Sequence, residues 1–432
     1  MTSAIENNAY LEKFSLAPPA NAEAPREDLG LVVVIPCHDE PNVSGSLDAL
    51  WSCAPPERSV EVIVVLNHSE DAPDSVRTNN QKSREEVDAW RRRNRAEGIR
   101  LEVLTSFDQP RKRAGVGLSR KIGMDEAVRR FDRASIGEGG VIACFDADCV
   151  CDRDYLVEME RHFDRHPETP GCSVHFEHPL DQATLPGQRE AIVAYELHLR
   201  CYINGLRFAG FPGAFQTVGS SMAVRSWAYQ KQGGMNCRQA GEDFYFLHRI
   251  IELGGFTELN SAKVIPSPRP SHRVPFGTGR AVQERLVRFG KADSTYALQS
   301  YLDLKEFLAL AAGLREATPG EAARAVKELS PALRSYLEGQ GFGGELEKMR
   351  RETRGEDAFR RRFFGWFNAF RVMKSLHHCR EQAYGEGDLR ETALATLRLR
   401  DRECGIVDAP ELEELLAAFR KMDRTGWTPP RG

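Results

Sequence analysis

The sequence predicts an α/β fold, a doubly wound and mostly parallel sheet with helices on both faces, followed by an all-α C-terminal region. Three observations predict it. Four short runs, apolar throughout, alternate with stretches of helical spacing in the first third of the chain. Polar and acidic residues gather immediately after three of those runs. Beyond about residue 290 strand-like runs vanish and only helical patterns remain. Short runs that are apolar on both faces suit strands covered by helices on either side, and strand–helix alternation is how such sheets are built.

The first run is Leu31 to Ile35, ending at Pro36; the others are Val60 to Leu66, Leu101 to Leu104 and Val141 to Phe145. Helical patterns cover Val43 to Trp51, Arg84 to Ala96 and Leu118 to Arg130. Later ones cover Tyr301 to Leu314, Gly320 to Glu338, Phe359 to His377, Asp388 to Arg400 and Pro410 to Lys421. The division expected is a polar N-terminal lead-in over 1–29, an α/β domain over 30–290 and a helical region over 291–432. A length of 432 residues agrees with two or three domains. Lys and Arg number 59 against 63 Asp and Glu, a formal charge of −4, which gives no electrostatic reason to expect a nucleic-acid partner. With 41% hydrophobic and 28% charged residues the chain reads as globular. No apolar stretch approaches the roughly 18 residues of a spanning helix. The N-terminus, with Glu6, Glu12 and Pro18-Pro19, lacks the apolar core of a signal peptide. Ten cysteines without a framework spacing fit reduced thiols, so the expected location is cytoplasmic.

Open parallel sheets bind ligands beyond the carboxyl ends of their strands. The residues there are Cys37-His38-Asp39-Glu40, Asn67-His68-Ser69-Glu70 and Asp146-Ala147-Asp148. Asp146 and Asp148 are two apart at the tail of a strand, so period-2 geometry sends both carboxylates to one side. Mg²⁺ or Mn²⁺ is commonly held by one or two carboxylates together with substrate phosphates; a solvated turn is the alternative. Glu242-Asp243 precedes the helical stretch Phe244 to Leu253 and could serve as a general base or as a favourable acidic helix start.

Together these fragments resemble a family 2 glycosyltransferase of the GT-A fold over Leu31 to roughly Arg280. The matching stretches are Val34 to Glu40, Ser119 to Ala127, Phe145 to Asp148, Gly219 to Arg225, Gly233-Gly234-Met235, and Gly241 to Phe244 with Arg249 and Gly254-Gly255. The resemblance implies a metal-dependent, inverting transfer of a sugar from a nucleoside-diphosphate sugar to a hydroxyl acceptor. It implies that Pro36, His38, Glu40, Asn67 and Arg120 cradle the nucleotide, with Asp146 near the ribose, and that Gly219 and Ser220 approach the donor sugar. Asp148, with Asp146 and a late histidine, His272, would hold Mg²⁺ or Mn²⁺. Asp243 would be the base, beside Glu242.

The sequence departs from the family at Asn67, where an aspartate commonly reads the nucleobase, and at Lys121, where asparagine is usual. It lacks the Q-x-x-R-W of processive synthases. Two other readings stand beside the enzyme: a sugar-nucleotide-binding scaffold without turnover, and a haloacid dehalogenase-like phosphatase with Asp146 as nucleophile. The Cys149-Val150-Cys151 triplet raises a zinc site on weak grounds. Phe359 to Arg371, basic and aromatic at helical spacing, suits a core helix, a self-association face in a homo-oligomer, or peripheral contact with a membrane. The expected partners are a nucleotide-sugar donor and a small-molecule or glycan acceptor.

Overall fold

A computed structural model describes residues 8–20, 23–94, 98–271, 277–287, 293–401, 405–406 and 409–429. The chain divides into two compact units, Met1–Arg189 with Thr217–Val287, and Glu190–Gln216 with Arg288–Gly432.

The first unit carries an eight-stranded sheet. Its strands are β1 (Leu29–Cys37), β2 (Ser59–Ser69), β3 (Ile99–Gln109), β4 (Val141–Cys144), β5 (Val150–Cys151), β6 (Gly171–Phe176), β7 (Met222–Arg225) and β8 (Thr257–Ile265). They lie in the order β3-β2-β1-β4-β7-β6-β8-β5. Neighbours β3, β2, β1 and β4 are parallel, as are β6 and β8. Strand β7 is antiparallel to both β4 and β6, and β5 to β8. This is the mixed, mostly parallel α/β sheet that the sequence predicts, consistent with a GT-A-like fold.

The alternation of side chains along β1 explains why its whole length is apolar. Leu31, Val33 and Ile35 join a buried cluster with Leu47, Leu50, Trp90, Tyr155 and Phe163 on one face. Val34, of the opposite parity, meets helix Val116–Arg133, where a Cβ on Gly123 would strike its side chain. Strand β3 runs longer than its apolar run because it is an edge strand whose Arg100, Glu102 and Asp108 break the hydrophobic signal.

The described part of the N-terminal lead-in contains a short helix. Helix Ala9–Phe14 buries Tyr10, whose hydroxyl donates to Asp125 at 2.7 Å on helix Val116–Arg133. Lys121 pairs with the same carboxylate at 3.1 Å, which gives this departure from the family pattern a structural role.

The second unit holds helices at Leu298–Leu314, Pro319–Glu328, Pro331–Gly339, Phe342–Glu352, Glu356–Trp366, Ala369–Cys379, Leu389–Arg400 and Leu412–Arg424, with residues 190–209 of helix Gln188–Ala209. The expected helix over 320–338 is two, because Ser330 caps a new one at Pro331 and proline cannot continue the old one. The expected helix over 359–377 also breaks, at Phe367-Asn368, where the Asn368 side chain caps the next. Contrary to the expectation of helices alone, a two-stranded antiparallel ladder joins β9 (Ser294–Tyr296) and β10 (Glu386–Asp388). Phe359, Phe363, Trp366 and Phe367 are buried, with Phe307, Phe342, Phe363 and Phe367 in one aromatic cluster, so the basic aromatic segment faces a core. Among the described residues no helix is long and apolar enough to cross a membrane.

Candidate active site

The sheet brings separate parts of the sequence to one edge. β1 and β2 pair in register from Leu31 opposite Val60 to Cys37 opposite Leu66, and β1 pairs with β4 up to Val34 opposite Cys144. Glu40, Asn67 and Asp146 therefore leave the sheet at the same end. Because β7 runs the other way, with Met222 opposite Cys144, its approach segment Gly219–Ser221 starts at that end too.

Arg120 is the centre of the arrangement. Its guanidinium, 3% exposed, donates to Glu242 and, at 2.5 Å, to Asp146. Burial opposes its charge, but the Asp146 and Glu242 carboxylates outweigh that and hold it protonated. Gly219 lies against the guanidinium so closely that a Cβ there would fall 2.6 Å from Nη1 and 2.7 Å from Nη2. Glycine is needed at this position for close approach, not for an unusual backbone angle.

Glu242 and Asp243 open helix Glu242–Ile251 behind Gly241, whose φ of 68° makes the turn. The Asp243 carboxylate accepts from the Gly219 N–H at 2.9 Å and from its neighbour Phe244 N–H at 2.8 Å. Burial nevertheless raises its pKa against the pull of Arg120. Glu242 is pushed up to about 7, by burial first and then by Asp243, while Arg120 pulls it down. One guanidinium is shared among more carboxylates than it can neutralise, and the protons of the deepest ones are bound more tightly.

A second charge group adjoins the first. Glu40, 2% exposed, takes both arms of Arg269, Nη1 at 3.2 Å and Nη2 at 2.7 Å. The same Nη2 is 3.9 Å from Asp148. Arg269 stands between Pro268 and Pro270, three residues before the predicted His272, and no sequence motif marks it.

The remaining predicted residues are placed as follows. The Asn67 side-chain amide donates to the Cys37 carbonyl at 3.1 Å, and the Asn67 backbone carbonyl accepts from the Asn80 side chain at 2.8 Å and meets His38 Nδ1 at 2.9 Å. Asn80, in helix Asp74–Arg93, also accepts from the N–H of Asp39, whose φ is 50°. It thus fastens the two strand exits together. No apolar period marks such a residue. Pro36 is buried within β1, and Ser220 is buried beside Ser221. His272 lies outside the described residues.

The cysteines do not make a shared metal centre. Cys149 is buried beside Asp148, whereas the Cys151 thiol faces Cys53 at 3.7 Å. Among the described residues no group of three or more His, Cys, Asp or Glu side chains is arranged to hold a metal ion. Asp148 is 29% exposed and Asp146 36% exposed, with one Asp146 oxygen engaged by Arg120. This donor set fits a hard divalent ion that completes its shell with substrate phosphate and water, rather than one caged by protein alone.

No family model matches the chain and no curated protein matches it. Solved structures resemble it loosely. Residues 1–349 of S. aureus TarS in complex with UDP-GlcNAc align at 12% identity and a TM-score of 0.39, over 92% of this chain and 90% of that one. The same fragment with UDP aligns at 12% identity and a TM-score of 0.38, over 75% of this chain and 92% of that one. Overlap of this quality carries no inference about chemistry.

Proposed function

We propose that the protein is an inverting glycosyltransferase that moves a sugar from a nucleoside-diphosphate sugar to a hydroxyl acceptor, with Asp243 as general base. The observation that carries the reading is the setting of Asp243. Two backbone N–H groups fix its orientation, and burial raises its affinity for a proton. A base of that kind suits an alcohol, which attacks poorly until its proton is drawn off in the transition state. In a single displacement the acceptor oxygen forms its bond to the anomeric carbon as its proton passes to the Asp243 carboxylate. The bond to the nucleoside diphosphate breaks on the opposite side, which inverts the centre.

Arg120 acts here as a positioning residue. It ties Asp146, from the end of β4, to Glu242, beside the base. Donor binding is assigned to the strand exits bearing Pro36, His38, Glu40 and Asn67, and to Gly219 and Ser220 on the approach to β7. Asp148, with Asp146, would hold Mg²⁺ or Mn²⁺, and a divalent ion bound there supplies charge stabilisation to the departing diphosphate.

The test is donor turnover by Asp243→Asn. Loss of turnover by about two orders of magnitude or more, with nucleotide binding retained, is expected for a general base. Unchanged turnover would remove Asp243 from the role. A wild-type chain that binds a nucleoside diphosphate but turns over no donor would favour the scaffold reading.

A further inference from the structure

We propose that Arg269 is a preformed contact for the diphosphate of the nucleotide, an assignment that rests on the nucleotide-sugar reading. The topology puts it there. β5 pairs antiparallel with the end of β8, Val150 opposite Ile265. Asp148, two residues before that pair, and Arg269, four residues after it, are brought back to the same place. Prolines 268 and 270 flank Arg269 and restrict the backbone on both sides. The Pro268 carbonyl accepts from the buried Gln188 amide at 2.9 Å, and the Arg269 N–H donates to Ser267 Oγ at 3.3 Å.

The guanidinium is therefore oriented before any ligand arrives. It has five N–H donors; the Glu40 fork uses one on each terminal nitrogen. A buried carboxylate needs a cationic partner, and a structural ion pair would account for that much. It does not account for the other side of the guanidinium. The side chain is 37% exposed, stands at the carboxyl edge of the sheet, and has its Nη2 3.9 Å from the carboxylate of the partly exposed Asp148. An anchored, planar, permanently charged fork with donors left over is matched to a phosphate group. Fixing it through Glu40 lowers the ordering cost of binding.

The experiment is calorimetric titration of the full chain with inorganic pyrophosphate and with UDP, GDP, dTDP, ADP and CDP, each with Mg²⁺ and with chelator. Pyrophosphate isolates the diphosphate contact from the nucleobase. Arg269→Gln is expected to weaken pyrophosphate and the preferred nucleotide at least tenfold, and Arg269→Lys to recover part of that loss. The matching nucleoside should bind within about twofold of wild type, since it lacks the charged group. If Arg269→Gln fails to fold because the buried Glu40 loses this cationic fork, the double variant Glu40→Gln with Arg269→Gln removes both charges, and the same pyrophosphate loss is expected. Pyrophosphate and nucleotide binding equal to wild type in a folded Arg269→Gln or double variant would overturn the assignment and leave the nucleotide-sugar reading intact. A wild-type chain that binds none of the six ligands would overturn both.

Discussion

Replacing Gly219 by alanine should disturb the arginine at the centre of the site without removing any charged group. The new Cβ would lie 2.6 Å from Nη1, 2.7 Å from Nη2 and 2.8 Å from Cζ of Arg120. Gly219 has no positive φ, so backbone strain is not part of the effect. Ordinary van der Waals separation requires a retreat of about 0.8 Å, and an exposed arginine would make it at little cost. Arg120 is 3% exposed and held at both ends by Glu242 and Asp146. Overpacking in a filled interior costs about 1–3 kcal/mol, and a buried ion pair that loses its partner about 3–5 kcal/mol. An expected loss of about 2 kcal/mol corresponds to a rearranged but unbroken clamp and to about 30-fold faster exchange by local opening. Two compact units need not unfold together, so the readout is native-state hydrogen exchange of the 116–133 segment rather than a global midpoint. A control separates this from generic crowding. Paired with Arg120→Lys, which withdraws the planar group, Gly219→Ala should cost at least about 1 kcal/mol less than it does alone. Exchange in Gly219→Ala within threefold of wild type, or full additivity with Arg120→Lys, would refute the reasoning.

Three further outcomes follow from the packing. Tyr10→Phe leaves Asp125 with Tyr229 and Lys121 but removes two buried hydrogen bonds, the one the hydroxyl donates to Asp125 and the one it accepts from Lys121, and should cost about 1–2 kcal/mol; limited proteolysis should then cut within residues 8–20 sooner than in wild type. Ser330→Ala removes an N-cap and a bond to the buried Asp303, and should lower the stability of the helical unit by about 1–2 kcal/mol by urea titration of that unit's transition. Arg130→Met strands Glu61, which Arg130 meets through both Nε and Nη2 at 2.6 Å; it should cost about 3–5 kcal/mol, and Glu61→Gln in the same chain should recover part of it.

The part of the fold that the sequence made legible is the part written in continuous apolar runs. β1, β2 and β4 are covered on both faces, so their burial is visible residue by residue. β5 has two residues, β7 has four, and β8 carries Asn260, Ser261 and Lys263, so none shows such a run. These three strands decide the site. The reversed β7 delivers Gly219, and the β5–β8 pairing delivers Arg269 to Asp148. Residue types at the exits of β1, β2 and β4 pointed to Glu40, Asn67 and Asp146 because a parallel sheet gathers its carboxyl ends. No comparable rule announces an arginine between two prolines more than 200 residues from the glutamate it grips. Lys121 shows the converse. As a departure from a motif it suggested altered chemistry, yet it is spoken for by Asp125 and the Tyr10 hydroxyl.

The charge balance of the cluster leads to a final test, on Glu242. Its pKa stands at about 7 in the folded chain against 4.5 for an ordinary glutamate, because burial and the neighbouring Asp243 outweigh Arg120. The folded state then binds more protons than the unfolded state between about pH 4.5 and about pH 7, so stability falls as pH rises through that window. The contribution is fully present below the unfolded pKa and lost above the folded one. A displacement of this size corresponds to about 3 kcal/mol. Asp243, also raised by burial, adds a slope of the same sign. Glu242→Gln keeps an oxygen for Arg120 but cannot titrate. It should therefore be more stable than wild type at pH 8, and the difference should shrink or reverse by pH 5. Hydrogen exchange of the 242–251 helix, corrected for the intrinsic pH dependence of exchange, measures the opening that exposes this side chain. Parallel pH profiles in the two proteins would mean that Arg120 neutralises Glu242 outright, and the picture of one guanidinium shared among too many carboxylates would have to be given up.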